Sequence, residues 1–457
     1  MAIEDSHRSS NETTSNWNIL PSLILNEIFS YLEYKDKLQA SSTCKQWRVA
    51  FHQTNQVPDV HFKIRKFDED KVIKSNYIAE CVARKVKTIT VSFDSISSHC
   101  LQLLANILEE LCTNVKVQKL VLNPSHCLFQ KDQSFIQRHI VKRLIELVQT
   151  SDALETLSLG CSEQLFQSSI QLLDQLVKRH RNSLKCLMLA TLRDDPDHYE
   201  LPNLDVSLMG SFVNLQMCSI DYDYMSDKFL QSLSECAQMS RLVIHVHGIL
   251  ENHPGTTEYA WNNVRRNNPN LKVRLNLVHA FEAVGTFHVT ILKRAMPLSH
   301  LRVFFCEHLN TDAFNLIRDY ADLESLWWVD SSVSDSTNSD ILLDNYINLN
   351  PLVIAAWRLK KLKELVFLGY KCFVDDVVAM MRLRKFQRLE LAYHDICSDI
   401  HSTYSMKTII TEAKSCIEKG ESWRPRRFKD LHPVLQNPDL GDSDEYILPI
   451  VQADMNP

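Results

Sequence analysis

The chain has 457 residues, a formal net charge of −6 and nearly balanced acidic and basic side chains, which argues against bulk binding of nucleic acid or of an anionic membrane. At this length two or more domains, or a repeat array, are expected, and no run approaches the roughly 18 apolar residues of a membrane span. Eight glycines disfavour nucleotide-binding folds built on glycine-rich turns, and thirteen cysteines, an odd number without C-x-x-C pairs, read as reduced and mostly buried thiols.

Residues 1–15 are polar and acidic from the start, so they cannot be a secretory signal and are expected to form a disordered leader. Residues 16–53 are dense in large apolar side chains. After Pro21 these fall at Ile24, Leu25, Ile28, Phe29 and Leu32, a spacing that predicts a helix with an apolar stripe wider than one face needs. A second helix is expected to start after Asp36, with Gln39 in the capping-box position, and a third to run through Cys44, Trp47 and Val49. Three helices in about 35 residues bury too little surface to stand alone. Such a unit must dock, and the surplus stripe is where a partner would sit.

Leu20-Pro21, Ile24-Leu25, Ile28-Phe29-Ser30-Tyr31-Leu32, Asp36, Cys44-Lys45 and Trp47-Arg48 closely match an F-box, whose usual pattern is L-P-x-x-[LI]-L-x-x-I-F-S-Y-L, then D, then C-K-x-W-R. The segment therefore resembles the F-box family. Ser22-Leu23 departs from it, since an acidic residue often follows the proline there, but the apolar frame is intact. The resemblance implies docking on the Skp1 adaptor of a cullin-RING ubiquitin ligase. Leu20, Pro21, Ile24, Leu25, Ile28 and Leu32 would form the Skp1-binding stripe, with Trp47 shaping the docking surface. Cullin 1 and the RING subunit would be reached through Skp1. An ordinary helical subdomain packed on the rest of the chain is the alternative.

Residues 54–85 read as a connector, with a short alternating strand at Val60–Ile64 and a helical stretch at Asn76–Val82. From Val86 onward the phrase apolar-x-x-apolar-x-apolar recurs, first as Val86-Ile89-Val91 and last as Phe386-Leu389-Leu391, with a looser copy at Leu271-Leu275-Leu277. Between most copies lies an amphipathic helix, such as Ser168–Arg179, Lys228–Ala237 and Ala313–Tyr320. Strand, turn and helix repeated eleven times predict a leucine-rich-repeat-like α/β solenoid, a horseshoe spanning residues 86–397. The Asn or Cys usual three residues after the last apolar position is mostly missing, although Cys306 fits it after Val303. A doubly wound α/β domain is the alternative. Gly248–Thr257 and the acidic, Ser-rich Asp330–Asp340 read as loops, the latter mobile. Residues 398–457 are expected to hold one helix around Met406–Lys419. Their tail has too many prolines for regular structure and is expected to lie along the solenoid end as a cap.

No nucleophile elbow, P-loop or G-x-G-x-x-G pattern is present, and no catalytic residue or cofactor is assigned. His245 and His247 share one face of a strand, and two histidines at i, i+2 can bind a metal if further ligands come from elsewhere. A solvent-facing or hydrogen-bonded pair is the expectation, with no metal. The cluster Arg424, Arg426, Arg427 and Lys429 reads as a solvated tail rather than a nucleic-acid contact. On the concave face, alternation places Trp327 outward and Trp328 inward, with Arg302 and Phe304 neighbouring Trp327. His245, Arg302, Phe304 and Trp327 are thus expected to bind a substrate protein, since aromatics and Arg on an open surface compose interface hot spots. Coverage of this patch by the C-terminal tail is the competing possibility. The resemblance implies a non-catalytic substrate receptor of an SCF-type E3 ubiquitin ligase, with an unknown protein substrate, no nucleic-acid or membrane partner, and a cytoplasmic or nuclear location. A Skp1-binding scaffold outside any ligase and an enzyme with a dispersed active site are the rivals.

Overall fold

In the computed structural model, residues 20–53, 59–65, 86–331, 350–398 and 400–454 are described. The leader, the helical stretch expected at 76–82 and most of the acidic Ser-rich loop lie outside them.

The F-box segment forms three helices, α1 Ser22–Tyr31, α2 Tyr34–Ser41 and α3 Lys45–Gln53. Helix α2 begins before the expected start, with Glu33 at its N-cap and Asp36 inside the first turn, where a carboxylate favours the helix dipole. No Asp36–Gln39 capping box exists.

The solenoid is one parallel sheet of twelve strands in strict sequence order. They are β1 Val60–Ile64, β2 Thr88–Phe93, β3 Lys119–Pro124, β4 Thr156–Ser158, β5 Cys186–Met188 and β6 Met217–Asp221, then β7 Arg241–Val246, β8 Lys272–Val278, β9 Leu298–Phe304, β10 Ser325–Val329, β11 Glu364–Leu368 and β12 Arg388–Leu391. Parallel neighbours need a crossover, and right-handed stacking of such units gives this sequential order rather than a doubly wound one. Each of the eleven phrases becomes a strand. The twelfth strand, β1, pairs with β2 from Val60↔Ile89 to Ile64↔Phe93. It belongs to the sheet and not to a separate connector, a correction to the boundary at residue 86.

The phrase-defining side chains enter one continuous core against the crossover helices, as with Leu122, Leu242, Val303, Trp328 and Phe367. Each fully buried side chain of this kind contributes roughly 1.5–3 kcal/mol. The helices expected between copies are present as Ser169–His180, Asp227–Ser234 and Ala313–Ile317. Between β5 and β6 only a 3-10 turn, Val206–Ser211, replaces the helix. The looser phrase has a structural counterpart. On β7 and β8, Leu275 pairs with Ile244, not with Leu242, and β9 carries a bulge where Val273↔Leu298 is followed by Arg274↔His300. The phrase slides by two residues, an even step that keeps every side chain on its face. Cys306 takes the turn position expected of it: its thiol accepts from the Ala280 N–H at 3.3 Å.

The tail does more than cap. Ile417 and Arg426 bridge to Phe386 and Ala392 at the β12 edge. The chain then turns back under the sheet, on the inner face away from the crossover helices, and forms the helix Ser443–Ala453. That helix contains Pro449, against the expectation of an irregular tail. A proline inside a helix costs about 3 kcal/mol, and complete burial of Ile447, Leu448 and Val451 offsets it.

Candidate functional site

The apolar stripe of α1 divides between two directions. Leu25 and Phe29 turn inward and meet Ala50 and Phe51 of α3, with Trp47 edge-to-face on Phe29 at a centroid distance of 5.6 Å. Gln46 ties the entry of α1 down by donating to the Leu20 carbonyl at 2.6 Å. Outside this small core, Leu23 is 81% exposed, Ile24 46%, Tyr31 82% and Val49 52%. Pro21 is exposed, and Leu20, Ile28, Leu32 and Trp47 are half-buried. One expected docking residue is thereby corrected. Leu25 is fully buried within the three-helix unit and has no surface to offer. A one-residue step turns a helical side chain by about 100°, so Ile24 faces out where Leu25 faces in. Leu23 and Tyr31, which the stripe did not include, extend the outward ridge.

On the solenoid, alternation predicts the faces correctly but not the exposure. Trp327 and Trp328 point to opposite faces, and Trp327 is level with Arg302 on β9. Phe304 meets Trp327 edge-to-face at 6.2 Å, and the guanidinium of Arg302 lies 4.9 Å from the indole. Yet Trp327 is 2% exposed, and His245, Arg302 and Phe304 are also buried. The expectation that these four form an open substrate surface is overturned. The C-terminal tail supplies Leu431, Val434, Leu435, Ile447, Leu448 and Val451, which complete a second core over Phe304, Trp327, Val366 and Leu368. Strand burial shows the extent of the cover. It alternates in β1, β2, β3 and β12, but β6 and β10 are buried at every position. A sheet covered on both faces reads as a continuous apolar run, and the segments SLWWV and ELVFL carry that signal.

Polar contacts pin the tail at both ends. Asp454 accepts from Arg274 and Arg302, and its backbone carbonyl accepts from Arg241 at 2.9 Å. Burial alone would raise the Asp454 carboxyl, but Arg302 and Arg274 overcome it and hold it below its ordinary value. At the other end Asp444 accepts from the Cys127 N–H at 2.6 Å, and His279 bonds Ser443 at 2.9 Å. An open cleft of about 650 Å3 remains beside this segment, lined by His279, Phe281, Phe305, Glu307 and Leu440. Asp330 lies at its edge and accepts from the Glu307 N–H and the Tyr370 hydroxyl; burial pushes its carboxyl up to about 6.

The histidine pair is buried and hydrogen-bonded, not solvent-facing. His245 Nδ1 and His247 Nε2 both bond the Thr191 carbonyl, at 2.8 and 3.1 Å. Burial lowers both imidazoles, His247 to about 4. Sequence reasoning missed Asp221, which pairs in register with His245 across β6 and β7. It could be found only by aligning the ends of consecutive phrases. Asp221 also accepts from the Thr191 N–H at 2.8 Å and from Arg193 at 2.9 Å.

Residues 17–55 match the F-box domain. The chain thus carries an F-box domain, placed ahead of a leucine-rich-repeat-like α/β sheet. Among its relatives is F-box only protein 33 from Homo sapiens, 22% identical over 422 residues that cover 80% of this chain and 74% of the relative. F-box/LRR-repeat protein 21 from Mus musculus is 22% identical over 306 residues, covering 62% of this chain and 64% of that protein. Among solved structures, the TLR13–ssRNA13 complex aligns with a TM-score of 0.33 and 14% identity, covering 68% of this chain and 42% of that one. An internalin from Listeria monocytogenes aligns with a TM-score of 0.26 and 11% identity, covering 73% and 91%. Among the described residues, no helix is long and apolar enough to cross a membrane.

Proposed function

We propose that the chain is the substrate-recognition subunit of an SCF E3 ubiquitin ligase. Its F-box binds Skp1, Skp1 brings cullin 1 and the RING subunit, and the solenoid presents a target protein. The observation that carries this reading is the F-box at residues 17–55, with an outward ridge of Leu23, Ile24 and Tyr31 above a closed internal core. Apolar side chains so exposed on a unit this small call for a partner. Leu20, Pro21, Ile28, Leu32 and Trp47 complete the docking surface. The chain itself makes and breaks no bond. Its contribution is positional, raising the local concentration of the target's lysines near a ubiquitin-charged enzyme. Because the tail fills the inner face, the target meets the cleft beside 438–443 rather than Trp327. The setting is cytoplasmic or nuclear.

Affinity purification of the full chain tests this directly. Skp1 and cullin 1 should co-purify with wild type, and Leu20→Ala with Pro21→Ala should remove both while the melting temperature stays unchanged. Absence of both partners from the wild-type sample, or an unaltered double variant, overturns the reading. Skp1 without cullin 1 points instead to a non-catalytic scaffold working outside a ligase.

A further inference from the structure

Asp221, His245 and His247 come from adjacent strands, and one donor atom of each lies within 4.8 Å of the other two. We propose that these three side chains form a buried site for a divalent transition-metal ion of the zinc type. Two imidazoles and one carboxylate suit zinc and its first-row neighbours and are poor ligands for calcium or magnesium, which take oxygen donors.

Three observations besides proximity support the site. The first is the state of the imidazoles. Each ring bonds the Thr191 carbonyl through one nitrogen, while His245 Nε2 and His247 Nδ1 are buried with no hydrogen-bond partner. A buried polar atom left unsatisfied costs about 1–3 kcal/mol, and each ring carries the lone pair that a metal requires. A backbone carbonyl that fixes the ring and its tautomer is the usual outer partner of a metal-bound histidine.

The second is charge. Asp221, Glu163 and Asp223 gather around one guanidinium, Arg193, which bonds Asp221 at 2.9 Å and Glu163 at 3.1 Å. Asp223 instead accepts from the Tyr199 hydroxyl at 3.0 Å. Three carboxylates thus stand against one guanidinium, a surplus of negative charge that a dication offsets. Arg193 therefore does not exclude the ion; it neutralises only part of the carboxylate charge.

The third is rigidity. Asp221 and His245 face each other in a hydrogen-bonded ladder, and His247 follows two residues on, so the backbone holds all three in register. Zinc–ligand bonds of about 2.1 Å draw the donors closer than they stand without the ion, a movement that side-chain rotation supplies. Complete burial makes the site structural: it clamps β6 to β7 and to the Thr191 segment, and it fills as the chain folds.

The experiment measures metal on the full-length chain. Protein purified without added metal should retain one equivalent of zinc through gel filtration. Chelator stripping should lower the melting temperature, Zn2+ should restore it, and Co2+ should replace it with the visible d–d absorption of a low-coordinate site. The double substitution His245→Gln with His247→Gln should weaken Zn2+ binding about 10-fold or more. A folded wild-type chain that takes up far less than one equivalent, with an unchanged melting temperature, overturns the site; this readout needs no variant. So does a folded double variant that binds Zn2+ as wild type does. Skp1 capture is read separately from the same samples, so a failed metal site and a failed F-box assignment are distinguishable.

Discussion

Arg302 and Asp454, 152 residues apart in sequence, form a buried ion pair that fastens the end of the tail helix to β9. Arg274 shares the same carboxylate from β8. Asp454→Ala should therefore strand two guanidiniums in a largely buried setting and destabilise the solenoid by about 3–5 kcal/mol, read by urea unfolding. A change below about 1 kcal/mol would show that the tail is held by its apolar side chains alone. The sign of the pH dependence follows from the lowered carboxyl. This contribution is present above the ordinary carboxylate value and is lost as pH falls through the lower value of the folded state.

Trp327 fills the second core between Phe304 and the tail, under the guanidiniums of Arg302 and Arg388 at 4.9 and 4.2 Å. Trp327→Ala should cost about 3–5 kcal/mol as a cavity-forming substitution, measured by thermal or chemical denaturation. An interface residue would instead lose target capture at unchanged stability. That outcome would mean that the tail leaves this face.

Neighbouring residues of the F-box should separate folding from docking. Ile24→Asp should reduce Skp1 capture at least 10-fold, with circular dichroism and melting as in wild type. Leu25→Ala should weaken capture only by loosening the three-helix unit, at a cost of about 2–5 kcal/mol. Reversal of that contrast would place Leu25, not Ile24, on the outward ridge.

Asp330 provides a second pH test. Its folded-state value, pushed up by burial to about 6, lies above that of an unfolded aspartate, so the folded chain binds the proton more tightly. Stability from this group is complete below about pH 4 and declines as pH rises through about 6. Measured against Asp330→Asn, the difference in unfolding free energy should change by about 3 kcal/mol across that window and then level off. A flat difference would mean that the Glu307 N–H and Tyr370 hydroxyl keep the carboxylate ionised throughout.

The repeat was legible because each phrase buries its own residues against its own crossover helix, a local relationship. Trp327 and Trp328 were assigned to opposite faces for the same reason. The start of the sheet was harder to place, since Val60–Ile64 is separated from β2 by a stretch without the phrase. The cover over Trp327 was less legible still. It depends on Leu448 and Val451, more than a hundred residues away, and on a helix that its own proline argues against. The nearest local sign was the unbroken apolar run SLWWV, which fits a strand buried on both faces. Asp221 was missed because phrase spacing orders residues along strands, and its partnership with His245 runs across them. In the F-box the wide stripe was read as one surface, although a helix of that width serves two.

The bond from the Cys127 N–H to Asp444 closes a separation of 317 residues. At about 5–20 residues per second of synthesis, roughly 15–60 s pass between the appearance of the two residues. During that interval the nascent sheet stacks strand by strand while its inner face, including Trp327 and Phe304, stays bare. Chains halted before residue 444 would keep that greasy strip in view of chaperones and proteases. The helix Ser443–Ala453 thus closes a face that the strands alone leave bare.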